Sequence, residues 1–92
     1  MISVELPRAL AELADGRTSI VLKEPCTTVG DALVALARES AAVVDRVVDE
    51  RGQVRPHVNV FVGEESIRFL QGLQTPIGSD ARILIIAAVS GG

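Results

Sequence analysis

Arg82-Ile83-Leu84-Ile85-Ile86-Ala87-Ala88-Val89-Ser90-Gly91-Gly92 is an apolar run closed by two glycines. From Ile83 to Val89 every side chain is apolar, at odd and even positions alike, and this is the pattern of a central strand covered on both sides. One face, Ile83/Ile85/Ala87 or Leu84/Ile86/Ala88, is expected to pack on a helix. Beyond the strand the chain loses its side chains, so the Gly92 carboxylate rides on a thin arm. Extended at about 3.3 Å per residue, Val89 to Gly92 spans roughly 10 to 13 Å, enough to reach from a docking surface into a buried site. Without Cβ atoms the two glycines can thread a narrow channel and take the dihedrals that such a site imposes. The sequence therefore divides into a folded domain over 1–88 and a flexible tail over 89–92.

Working back from that strand, the remaining elements read as strand, strand, helix, strand. Ile2, Val4 and Leu6 alternate with Ser3 and Glu5, the period of a half-buried strand, and Pro7 closes it. Pro7 to Asp15 is a short alanine-rich helical turn or compact loop, and Asp15-Gly16 is a turn signal. Thr18 to Lys23 then returns as a second strand, giving an antiparallel hairpin. After Pro25 the period changes: Val29, Ala32, Leu33, Leu36 and Ala37 form one helical stripe. Thr28 is its N-cap, with Asp31 three residues on completing a capping box. This helix is expected to run to about Val44, ahead of the polar break Asp49-Glu50-Arg51-Gly52. Val58, Val60 and Val62 alternate around Asn59 and Phe61 in a third strand that stops at Gly63-Glu64-Glu65, and Ile67-Arg68-Phe69 reads as a short return strand.

The composition narrows the function. Ninety-two residues at 48% hydrophobic content make one small globular domain. A net charge of −3 disfavours nucleic acid and anionic membranes as partners, and with no Trp, no Tyr and two Phe there is no base-stacking platform. No apolar stretch has membrane length and the start lacks a signal-like pattern, so a cytoplasmic protein is expected. One cysteine, Cys26, excludes an internal disulfide framework and a cysteine metal cluster, and the acids Asp45, Asp49 and Glu50 fit no calcium loop; no metal site is expected. A Cys26/His57 nucleophilic pair would need a proximity that nothing in the sequence indicates, and a half-buried structural cysteine is the simpler reading. Gly78-Ser79-Asp80 is a turn, not a phosphate loop.

A single helix covers one face of a sheet. Part of the other face is then an exposed apolar patch of the kind that partners use, unless Pro7–Asp15 or the Gly63–Ala81 loops fold over it. Phe61 with Leu84 and Ile86 are the candidate partner contacts, Val89 and Ser90 guiding the tail. Strand parity leaves the alternative open that Phe61 is core and the valines face out. Arg68 and Arg82 flank the patch, either as solvated side chains or as partners for acids on another protein.

The strand order, the stretch Arg55-Pro56-His57-Val58-Asn59-Val60-Phe61-Val62, the loop Gly72 to Asp80 and the ending Ile83 to Gly92 resemble the ubiquitin-like β-grasp sulfur carriers. The likeness is greatest to the carrier of actinobacterial cysteine biosynthesis, and less to the molybdopterin-synthase small subunit and the thiamine-pathway carrier. Many relatives have a proline just before the final residues; Ala87-Ala88-Val89 stands here instead. The resemblance implies an α+β fold, a mixed four- to five-stranded sheet on one main helix, and a carrier that is not itself an enzyme. It implies a monomer that binds no cofactor of its own. A partner related to ubiquitin-activating enzymes, holding ATP and magnesium, would adenylate Gly92. Sulfide or a donor persulfide would then leave a thiocarboxylate there, with Gly91 at its neck. A pyridoxal-phosphate cysteine synthase, or another sulfur-accepting synthase, would take the sulfur. A molybdopterin or specialised-metabolite acceptor, a ubiquitin-like modifier that ends on lysines, and an unreactive β-grasp module remain as alternatives.

Overall fold

In the computed structural model, which describes residues 1–87, the alternating segments form one five-stranded mixed sheet. Its strands are β1 (Ile2–Glu5), β2 (Ser19–Leu22), β3 (Val58–Val62), β4 (Glu65–Ser66) and β5 (Arg82–Ala87), in the spatial order β2-β1-β5-β3-β4. The apolar run is therefore the middle strand, as its two-sided hydrophobicity demanded. It lies parallel to β1, with Val4 opposite Ile83, and antiparallel to β3, with Val58 opposite Ala87 and Phe61 opposite Leu84. β1 and β2 form the expected antiparallel pair. This is the ubiquitin-like β-grasp arrangement that the resemblance implied.

Among the described residues the α-helices are α1 (Arg8–Ala11), α2 (Val29–Glu39) and α3 (Ala41–Val47). Val4, Val58, Val60, Ile83 and Ile85 of the sheet are buried together with Val29, Leu33 and Leu36 of α2 and Val43 and Val47 of α3. The segment around α1 joins the same core through Leu10, Ala11 and Ala14. A left-handed Asp15 (φ 57°) and Gly16 (φ 83°) then turn the chain into β2.

α2 begins as its sequence dictates. Thr28 Oγ1 accepts a hydrogen bond from Asp31 N at 3.1 Å, and Asp31 Oδ2 accepts from Thr28 N at 3.2 Å and Thr27 N at 3.1 Å. Segment 72–77 is strapped across this helix start, with Val29 N donating to Thr75 O and Ile77 N to Thr27 O, each at 3.0 Å. The strap comes so close that a Cβ on Gly30 would stand 3.2 Å from Leu73 O.

Two elements differ from the sequence reading. The helix does not continue to Val44: Ser40, extended at φ −158° and ψ 96°, ends α2 and starts α3. Its hydroxyl accepts from Val43 N at 3.4 Å and donates to Leu13 O at 3.1 Å, so a side chain that competes with the helical backbone sets the break. The return strand is Glu65–Ser66, two residues earlier than Ile67-Arg68-Phe69, which form a 3₁₀ turn with Ile67 buried. The expected end of the domain at 88 and the tail 89–92 lie outside the described residues.

Candidate functional site: the outer face of the sheet and the exit of its central strand

With Ile83 and Ile85 turned inward, Leu84 and Ile86 are left on the opposite face, 37% and 43% exposed. The same parity places Val58 and Val60 inside and turns Asn59 and Phe61 outward. Phe61 is half-buried directly across from Leu84, and Asn59 lies across from Ile86. The three sequence-predicted contact residues Phe61, Leu84 and Ile86 thus share one surface, and the valines-outward alternative does not hold. The segment around α1 packs on the helical side, and so does not cover this patch.

The border of the patch is charged. Glu5, the parallel neighbour of Leu84, accepts from Arg82 Nη2 at 3.4 Å. A hydrogen bond from Ser19 first, against the opposing effect of burial and with a lesser contribution from Arg82, holds the Glu5 carboxyl below the usual range. Among the described residues the acceptors on the Arg68 guanidinium are uncharged oxygens. Its Nε donates to Asn59 Oδ1 at 3.1 Å, and its Nη2 reaches Val58 O at 2.6 Å, Pro56 O at 3.0 Å and Arg55 O at 3.2 Å. β4 is only two residues long and pairs only with Phe61 and Val62, so the guanidinium caps carbonyls at the start of β3 that no strand reaches.

The exit of β5 lies at this same corner, because Ala87 pairs with Val58. Val89, Ser90, Gly91 and Gly92 lie outside the described residues. Phe69, which follows Arg68, is 83% exposed, and Leu70 beside it is exposed as well. The sequence reading missed Phe69 by giving it to a strand.

Cys26 is buried, and its Sγ donates to Glu24 O at 3.4 Å, not to His57, which is exposed. Burial first, then the Asp31 and Glu24 carboxylates, push its thiol above the ordinary value, the reverse of what a nucleophile needs. Among the described residues no three His, Cys, Asp or Glu side chains are grouped to hold a metal, and no helix is long and apolar enough to cross a membrane. The described surface offers an exposed apolar face next to the exit of the central strand.

The ThiS family model matches residues 4–92. The chain belongs to the ThiS family. Within that frame, the sulfur carrier protein CysO of Mycobacterium tuberculosis is 28% identical over 93 residues, covering 99% of this chain and 98% of that protein. Small archaeal modifier protein 1 of Haloferax volcanii is 36% identical over 83 residues, covering 90% of this chain and 91% of the relative. Among solved structures, a chain of the Amycolatopsis orientalis BexX/CysO complex superposes with a TM-score of 0.88 at 27% identity, with complete coverage of both chains. These ThiS-family relatives share the length as well as the fold of this chain. They are named as carriers and modifiers.

Proposed function

We propose that this chain is a sulfur carrier whose reactive group is the Gly92 carboxylate. The observation that carries the reading is the family match running through the sheet to residue 92, joined to a central strand that exits beside an exposed apolar face. The carboxylate, with an ordinary pKa of about 3.5, is ionised at neutral pH and needs no base. One of its oxygens attacks the α-phosphorus of a partner's magnesium-bound ATP, and pyrophosphate leaves. Hydrosulfide then adds to the carbonyl carbon of the acyl-adenylate; AMP departs, a proton is lost, and a thiocarboxylate remains at Gly92. Phe61, Leu84 and Ile86 dock the activating enzyme, while Val89, Ser90 and Gly91 lead the terminus into its site. The 1–88 domain holds the tail and the partners supply catalysis, the activating enzyme first and a pyridoxal-phosphate cysteine synthase next. Resemblance to the CysO carriers supports cysteine as the product. A cytoplasmic setting, with its ATP and reduced sulfur, suits this chemistry.

Reconstitution with ATP, sulfide and the activating enzyme of the native host tests it. The intact chain is expected to gain about 16 Da as sulfur replaces oxygen, and Gly92→Val or removal of Gly91-Gly92 to abolish the gain without changing the melting curve. A truncated chain that still gains the mass would overturn the assignment.

The 36% identity to a small archaeal modifier protein favours a second reading, attachment of Gly92 to lysines of other proteins. Lysine-linked adducts carrying a Gly-Gly remnant in the native host would support it. Lys23 is the only lysine in the chain, so self-linked branches could form at that one position alone.

A further inference from the structure

The two edges of the sheet are built differently. At one end the edge strand β4 is two residues long, and beyond it the Arg68 guanidinium takes the Val58 carbonyl. At the other end β2 pairs with β1 alone. Leu6 N donates to Thr18 O at 2.8 Å, so Leu6 and Thr18 form a hydrogen-bonded pair, and by alternation so do Val4 with Ile20 and Ile2 with Leu22. The backbone N–H and C=O groups of Ser19 and Val21 consequently point away from the sheet, and among the described residues they have no backbone partner. Ser19-Ile20-Val21-Leu22 carries neither a charge nor a proline to blunt this edge, and Val21 is 49% exposed. α2 leaves room beside it: Val21, Leu22, Ala35 and Glu39 border an open hollow of about 280 Å³.

Such a strand is its own complement. Ile20 and Leu22 face the core while Ser19 and Val21 face outward, so a second β2 laid antiparallel keeps both cores on one side only where even-numbered residues meet even-numbered ones. Charge then selects among the registers that do so. Centred on Ile20, the pairing sets Arg17 against the partner's Lys23, like charge on like. Centred on Leu22, it sets buried Ile20 against the partner's Glu24, and Ser19 against the partner's Pro25, which has no N–H to give. Centred on Val21, it sets Val21 against the partner's Val21, Ser19 against the partner's Lys23 and Thr18 against the partner's Glu24, with no like charges opposed. There the unpaired groups of Ser19 and Val21 fall in hydrogen-bonded positions. Lys23, the only lysine of a chain of net charge −3, also comes beside a serine that bonds the Glu5 carboxylate.

We propose that the β2 edge is a self-association surface: two copies of this chain join β2 to β2 antiparallel, about a two-fold axis at Val21, into one continuous sheet. The Ser19, Val21 and Lys23 positions supply about six hydrogen bonds between the copies, two for each hydrogen-bonded pair. One strand pair covers less than the roughly 1,000 Å² of a stable interface, so the dimer is weak, with a Kd of about 0.1–1 mM. The monomer that the resemblance implied is its dilute form. Because β1 separates β2 from β5, Leu84 and Ile86 of both copies stay uncovered, on the same side of the joint sheet. At about 4.8 Å per strand the two central strands run antiparallel roughly 24 Å apart.

Sedimentation velocity of the full chain from about 10 µM to 1 mM tests this, with a reductant present so that Cys26 cannot link copies. The average mass is expected to rise towards that of a dimer, and the amide protons of Ser19 and Val21 to shift and gain protection over the same range. Val21→Lys sets like charges against each other across the axis and is expected to raise the Kd at least tenfold with an unchanged melting temperature. Val21→Pro removes an N–H that β1 does not use and is expected to act in the same direction. Ile86→Ser, two strands away on the outer face, is expected to keep the wild-type Kd. A chain that stays monomeric at 1 mM, or a dimer whose Kd stays within a factor of two in both Val21 variants, would overturn the proposal. A dimer lost in Ile86→Ser but kept in Val21→Lys would overturn it too, by moving the contact to the outer face.

Discussion

At the residue scale, Asp31 shows how much local chemistry a single side chain can hold. Its carboxylate accepts from the Thr27 hydroxyl at 2.9 Å and from the backbone amides of Thr27 and Thr28, while its own amide donates to Thr28 Oγ1. The Thr27 hydroxyl, then the Thr27 amide, hold the Asp31 carboxyl below its ordinary value, outweighing a small effect of burial. A carboxylate whose folded pKa is depressed contributes stability that is complete above its unfolded pKa, about 3.9, and is lost as the pH falls through the lower folded value. Asp31→Asn is therefore expected to melt below wild type by a constant margin above about pH 5, a margin that starts to shrink near pH 4 and closes only as the pH falls through the lower folded pKa. A margin independent of pH down to pH 2 would contradict the linkage. Thr28→Ala removes the other half of the box and is expected to cost about 1 kcal/mol in urea unfolding at neutral pH. This motif was fully legible in the sequence, because both of its partners lie within three residues.

At the element scale, β5 does two jobs on its two faces. Ile83 and Ile85 are fully buried against the helices, and Leu84 and Ile86 remain accessible. Ile85→Ala leaves a cavity in the middle of the sheet and is expected to cost about 2–5 kcal/mol. Ile86→Ser, with its side chain already partly in water, is expected to cost less than about 1 kcal/mol and to act instead on the rate of sulfur loading. Chemical denaturation separates the two effects, and an Ile86→Ser chain as unstable as Ile85→Ala would reverse the assigned parity. That parity was not legible, since a run apolar at every position carries no period to orient it; only pairing with β1 and β3 fixes it. The break at Ser40 was hidden for a related reason. Val43 continues the helical stripe past it, and the acceptor that holds the Ser40 hydroxyl, Leu13 O, is 27 residues away. Phe69 was misplaced because β4 stops after two residues, and Arg68 takes over the edge of β3 with bonds that span 9 to 13 positions. Where partners were local the sequence sufficed, and where a distant carbonyl decided, it did not.

At the scale of the whole molecule, the last strand in sequence is the central strand in space. β5 is the only strand that joins the β1–β2 hairpin to the β3–β4 pair, and its parallel contact with β1 brings together residues about eighty positions apart. The two halves of the sheet therefore have no strand-to-strand hydrogen bonding until the chain has been made through Ala87. Two isolated two-stranded pieces are marginal in water, and an unpaired β1 edge is open to aggregation. Losing β5 also removes Ile83 and Ile85 from the core; at about 2–5 kcal/mol for each such side chain, that approaches the whole stability of a domain this size, about 5–15 kcal/mol. The arrangement couples folding to the strand that leads towards Gly92, since a chain that lacks β5 also lacks the outer apolar face that Leu84 and Ile86 form. A fragment of residues 1–80 is accordingly expected to be unfolded by circular dichroism and amide proton dispersion, whereas a fragment of residues 1–88 melts cooperatively at the temperature of the full chain. A 1–80 fragment that kept a cooperative melt would show that β5 completes the sheet without organising it, and that the tail and the fold are separable.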